Sequence, residues 1–157
     1  MARSDLQLFS ANPPDRTLGN IAAGVAGRLR SLVVVLDRLD RLESGSGEWL
    51  ADFAERELPE AATAMTLRAL RTASDPANYA ILKALGAGES SKIGDLMAAT
   101  GYGRLPLTER LNDLVQVGLA SRLIDTDHAQ ITAAGAAMVD LIEQLVKQVM
   151  AEYGASG

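Results

Sequence analysis

Between residues 16 and 43 the apolar positions fall at Leu18, Ala22, Val25, Leu29, Leu32, Leu36 and Leu39, at spacings of 4, 3, 4, 3, 4 and 3. That alternation predicts a coiled-coil seam on one long helix, with Asp15 placed to cap it. Val33, Val34 and Val35 broaden the apolar face. Gly19, Gly24 and Gly27 weaken the first half but permit close helix approach. Ser44-Gly45-Ser46-Gly47 breaks the run. Trp49, Leu50, Phe53 and Ala54 then share the face of a short helix, and Pro59 interrupts it. Residues 60–73 follow as another helix, with Ala61, Ala62, Met65, Ala69 and Leu70 inward. The first 15 residues show no period, and their Leu6, Leu8 and Phe9 belong to an arm or a tail. At the other end, Met138, Leu141, Ile142, Leu145, Val146, Val149 and Met150 form the broad apolar face of a last helix, which Thr132 can cap.

The stretch from 75 to 135 is organised differently. Asp75 can cap a helix whose first residue is Pro76, with Tyr79, Leu82 and Leu85 on one face and Gly86 at its end. Ser90 or Ser91 can cap a second helix that turns Ile93, Leu96 and Met97 inward. Thr100-Gly101 is the break expected between two helices of a helix-turn-helix. A third helix has Leu107, Leu111, Leu114 and Val115 inward, and Gly118 stops it. Leu119–Ile124 and Ala129–Ile131 can pair across Asp125-Thr126-Asp127-His128. Three helices, a hairpin and the start of another helix, in that order, make a winged helix-turn-helix.

Leu82 and Leu85, the Leu96–Gly101 turn, Leu111-x-x-Leu114-x-x-x-Gly118-Leu119, and Ile131-Thr132-x-x-Gly135 together resemble the winged-helix transcription regulators of the ArsR, MarR and HxlR type. The resemblance covers about the second half of the chain. It implies an all-α protein with a small β-hairpin wing, in which long N- and C-terminal helices dimerise. The expected divisions are 1–73, an N-terminal helical arm and dimerisation region; 74–132, the winged helix-turn-helix; and 133–157, a C-terminal dimerisation helix.

Composition agrees with a small helical protein. The chain has 157 residues, enough for one domain with a sizeable core, and few aromatics. No cysteine is present, so disulfides and thiolate metal sites are excluded. The N-terminus lacks the layout of a signal peptide, and no apolar run approaches the length of a membrane span, so the expected location is cytoplasmic. His128 is the only histidine, which argues against a zinc site. Gly101-x-Gly103 lacks the context and third glycine of a nucleotide loop. No nucleophile and base pair is recognisable, so neither enzyme chemistry nor a cofactor is expected.

Two functions fit. The first is a dimeric, sequence-specific DNA-binding regulator whose third helix enters the major groove. The resemblance puts Arg104, Leu105, Thr108 and Glu109 at the base edges. Arg104 can grip a guanine and Thr108 a base or a phosphate. Arg110, Lys92 and Arg122 are the candidate phosphate contacts. Dimerisation falls to Leu18, Val25, Leu29, Leu32, Leu36 and Leu39 with Leu141, Leu145 and Val149, because one small domain offers little else to cover two such stripes. Trp49, Phe53 and Met65 can line a pocket for a small-molecule effector or serve as core.

The second function is a winged helix that binds proteins rather than DNA. Residues 74–132 hold five basic against seven acidic residues, a balance of −2, a poor endowment for phosphate binding. Tyr102, Leu105 and Pro106 are apolar where the family usually carries base readers. Pro106 also disfavours a helical Leu105, so the third helix is expected to begin late. Asp125 and Asp127 at the hairpin tip repel phosphates. The tip is therefore expected to stand clear of a duplex, its carboxylates serving backbone N–H groups.

Overall fold

The computed structural model describes residues 13–44, 55–86 and 89–155, without the side chains of 13–15, 36, 37, 39–44 and 124. It is mostly helical, with one small antiparallel sheet. The elements are α1 (Pro13–Ser44), α2 (Leu58–Ser74), α3 (Pro76–Leu85), β1 (Ser91–Lys92), α4 (Ile93–Thr100), α5 (Arg104–Gln116), β2 (Ala120–Leu123), β3 (His128–Ile131) and α6 (Ala133–Ala155).

The core is built by α3, α4 and α5. Their Ile81, Leu82, Ile93, Leu96, Leu107, Leu111 and Leu114 are fully buried, joined by Leu119 and by Met138 from α6. Local signals place these helices. The Asp75 carboxylate accepts from the amides of Ala77 (2.9 Å) and Asn78 (3.2 Å), with Pro76 at the first helical position. Gly86, Gly101 and Gly118 take positive φ just past the three helices, a conformation that costs glycine little.

Two expectations fail in this region. Neither Ser90 nor Ser91 caps α4; its N-cap is Lys92, without a side-chain cap. Ser91 and Lys92 are drawn into β1 instead, opposite Ala129 and His128 of β3, which gives a three-stranded sheet of order β1-β3-β2. The second miss is the late start of α5, which begins at Arg104 despite Pro106. Pro106 lies in the first turn, where amides have no helical acceptor, so its missing N–H costs nothing.

The hairpin register runs from Ala120↔Ile131 to Leu123↔His128, so the connection is Ile124–Asp127, one residue earlier than the turn expected from sequence. The Thr132 hydroxyl then accepts from the Gly135 amide (3.0 Å) and donates to the Gly118 carbonyl (2.7 Å). This is the expected cap of the last helix, here also tied to the end of α5.

The outer helices lie differently from the expected seam. The most extensive helix contact in the chain is α1 on α6 of the same chain. Thr17, Ile21, Val25 and Leu29 of α1 are buried, and a Cβ on Gly24 would overlap Ala134 of α6. Leu18 and Leu32, counted in the seam, face outward. The inward row is rotated by about one position, because an unbroken i, i+4 row winds slowly around a helix. The side chains of Leu36 and Leu39, and the whole of Trp49, Phe53 and the arm with Leu6, Leu8 and Phe9, lie outside what the structure describes. Leu70, expected inward, is exposed, while Ala69 and Ala73 are buried. The Arg16–Val35 segment is, by length and composition, apolar enough to cross a membrane, contrary to the expectation for this chain. Its alanines and valines carry the mean hydropathy across Arg28 and Arg30.

Candidate nucleic-acid interface

Helix α5 sets the site. Its inner row, Leu107, Leu111 and Leu114, is sunk in the core, so the opposite face is presented to solvent. That outer face carries Leu105, Pro106, Glu109, Asn112, Asp113 and Gln116, with Thr108 half-buried at its edge. Leu105 is 69% exposed. Tyr102, expected among the outward apolar groups, packs against the core instead. Asn112, an exposed amide one turn beyond Thr108, was not singled out in the sequence, where nothing distinguishes it from any helix-surface asparagine.

The tip of the hairpin is fastened to this helix. Asp127 adopts φ 53°, and its carbonyl accepts from the Ile93 amide at 3.0 Å. Its carboxylate takes both ends of the Arg104 guanidinium: Nη2 donates to Oδ2 at 2.9 Å and Nη1 to Oδ1 at 3.4 Å. Arg122 of β2 brings Nη2 to 3.9 Å from the same Oδ1. The Arg104 hydrogen bond, followed by the charges of Arg104, Arg122 and His128, holds the Asp127 carboxyl below the usual aspartate range. The Arg104 guanidinium is correspondingly shifted up. Arg122 Nε is buried without a hydrogen-bond partner. His128 Nδ1 donates to the Thr126 carbonyl. The expectation that Asp127 serves backbone amides is corrected. Its side chain is spent on Arg104, 23 residues away in sequence, a separation at which no local pattern could reveal the pair.

The other candidate cations divide as follows. Arg110 turns sideways into the end of α3, with Nη1 donating to Asp75 Oδ1 (2.9 Å) and Asn78 Oδ1 (3.3 Å). It ties α5 to the aspartate that caps α3 rather than standing free toward a duplex. Backbone hydrogen bonds from Asn78 and Ala77, then Arg110, keep the Asp75 carboxyl low. Lys83 pairs with Glu143 of α6 at 2.8 Å, which raises the lysine and lowers the glutamate. Lys92 is exposed beside the tip and makes no ion pair among the described residues. Four of the five basic residues in 74–132 are thus set against carboxylates.

The residues expected to dimerise also divide. Val25 and Leu29 are 7% and 9% exposed, covered by their own chain. Leu141 is half-buried against the core. Leu145 and Val149 stand 57% and 63% exposed, and Val146, Met150 and Tyr153 extend the same open stripe along the C-terminal half of α6.

Between α1 and the hairpin runs an open groove of about 580 Å³, lined by Gly24, Arg28, Ser31, Ser121, Arg122 and Thr132 among others. Met65, read from the sequence as either core or pocket lining, packs against the core and also lines a separate groove of about 410 Å³ with Arg28, Leu32, Val35, Arg68 and Gln116. Among the described residues no group of histidines and carboxylates could hold a metal ion. Set against protein-family models, curated proteins and solved structures, the chain matches none of them.

Proposed function

We propose that the chain is a winged helix-turn-helix regulator that binds duplex DNA as a homodimer, with α5 as the recognition helix and β2–β3 as the wing. The observation that carries this reading is the pairing of an outward α5 face with a hairpin fastened beside its first turn, so that Lys92, Arg104 and Arg122 gather at one corner. A helix of that exposure fits a major groove, and cations at its N-terminal end suit the flanking phosphates. In this reading Thr108, Glu109 and Asn112 face base edges and Lys92 contacts the backbone. The open Leu145–Tyr153 stripe and the outward Leu18 and Leu32 are the surfaces for a second copy.

A pool of random duplexes, titrated at about 50 mM and about 200 mM salt, tests it. Binding should fall steeply with salt, and Lys92→Ala should weaken every sequence alike and reduce the log–log slope by about 0.9, the value for one phosphate. A pool from which nothing is retained even at the lower salt rejects the reading.

A second reading has its own support. Four neutralised cations and an exposed Leu105 beside Pro106 suit a protein-binding face better than a phosphate-binding one. It also predicts no dependence of duplex retention on Lys92.

A further inference from the structure

We propose that Arg104 and Arg122 form a site for a backbone phosphodiester of duplex DNA, held shut in the free protein by the Asp127 carboxylate. The inference rests on the DNA-binding reading and adds how the site is kept closed. Its first ground is geometric. A guanidinium binds a carboxylate and a phosphate through the same pair of parallel N–H···O bonds. Asp127 holds both oxygens against the Arg104 fork, at 2.9 and 3.4 Å, and has Arg122 at 3.9 Å from one of them. It occupies the place where two phosphate oxygens would sit.

The second ground is that the contact is poised to exchange. The Arg104 and Asp127 side chains are 60% and 46% exposed, and an ion pair so open to water is weak. A phosphate arriving with its neighbours along a duplex competes on favourable terms.

The third ground is that the tip does not need this carboxylate to keep its shape. The Asp127 carbonyl is held by the Ile93 amide, and the flanking His128 is paired in the sheet opposite Lys92 and Leu123. Release of the side chain would leave the strands in place and expose three cations at one corner. The same exchange accounts for a domain whose charges are largely self-neutralised yet sit beside an outward helix. It also assigns Arg104 to a phosphate rather than to a guanine, because the end of its fork is already committed to an oxyanion.

The test compares Asp127→Asn with Asp125→Asn. Both remove one negative charge from the same loop, but Asp125 has no cation partner among the described residues, so the difference between them isolates release of the arginines. Asparagine tolerates the positive φ at 127; Asp127→Gly, which suits it better still, is the second variant should the first melt early. Each protein is titrated with a mixed-sequence duplex at several salt concentrations and, separately, with inorganic polyphosphate. Asp127→Asn should bind the duplex about tenfold more tightly than Asp125→Asn, with a log–log salt slope steeper by about 1–2, the change for one or two further phosphates. Equal affinities and slopes for the two variants on both probes would overturn the inference, as would weaker binding by Asp127→Asn. If no protein binds duplex but Asp127→Asn takes polyphosphate more tightly than Asp125→Asn, the DNA reading falls while the phosphate site stands.

Discussion

Gly135 is the position at which a single methyl group should do most harm. It lies in the first turn of α6, where an open helical site would gain up to about 1 kcal/mol from glycine-to-alanine replacement. Here a Cβ would overlap the Leu119 carbonyl oxygen and crowd the Ile131 side chain at 2.8 Å. The obstacle is backbone, so it cannot swing aside. The Leu119 carbonyl also accepts from the Thr132 amide at 3.1 Å, and the Thr132 hydroxyl bridges Gly135 and Gly118. Any shift that relieves the overlap therefore stretches the bonds that join α5, β3 and α6. Overpacking of this kind costs about 1–3 kcal/mol, which for a chain of this length lowers the melting temperature by about 2–10 °C. Gly94→Ala is the control, because a Cβ there meets nothing within 4 Å. Thermal melts followed by circular dichroism read both. If Gly135→Ala melts at or above the wild-type temperature, or Gly94→Ala loses as much, the close approach of α6 to Leu119 does not exist as described.

Two further outcomes are expected. Leu145→Asp combined with Val149→Asp should leave the melting temperature of the fold nearly unchanged, since both side chains are exposed in the single chain, yet abolish self-association in sedimentation, because it buries charge in the apolar contact; a wild-type chain that sediments as a monomer at micromolar concentration ends the dimer reading. Acidification should destabilise the fold through Asp75, Asp127 and Glu143, whose carboxyls are held below the ordinary aspartate and glutamate ranges by their hydrogen bonds and cation partners. Depressed folded-state values mean that this stability is present above the ordinary values of the unfolded chain and is lost as pH falls through the folded ones. Melts between about pH 6 and about pH 3 should show the loss, smaller in Asp75→Asn than in wild type; an identical pH profile in that variant would deny the cap its electrostatic role.

Charge balance alone left the pairing of charges in the α5 region open. Five basic and seven acidic residues read as a weak phosphate binder, but composition does not say which carboxylate meets which cation. Arg110, counted as a phosphate contact, is a strut between α5 and the cap of α3. Asp127, counted as a repulsive turn residue, is the partner of two arginines. Both assignments depend on side chains that meet only after the helices have packed.

What the sequence determined by itself is local. Asp75-Pro76 starts α3, Gly86, Gly101 and Gly118 end three helices, Thr132 caps α6, and Leu82, Leu85, Leu107, Leu111 and Leu114 face inward. Each follows from interactions within a few residues or from a helical period, which the linear order carries whole. Tertiary structure decided the rest. It drew Ser91 and Lys92 into a third strand, because β3 had an open edge for backbone hydrogen bonds. It turned α1 so that Ile21 and Val25 join the core cluster with Ala134 and Met138 of α6, leaving Leu18 and Leu32 outside. A repeating apolar row states that a helix has a face to cover, but several rows of similar hydrophobicity run along α1. The one that is buried is selected by how closely Gly24 can approach Ala134, a fit between two surfaces far apart in the chain.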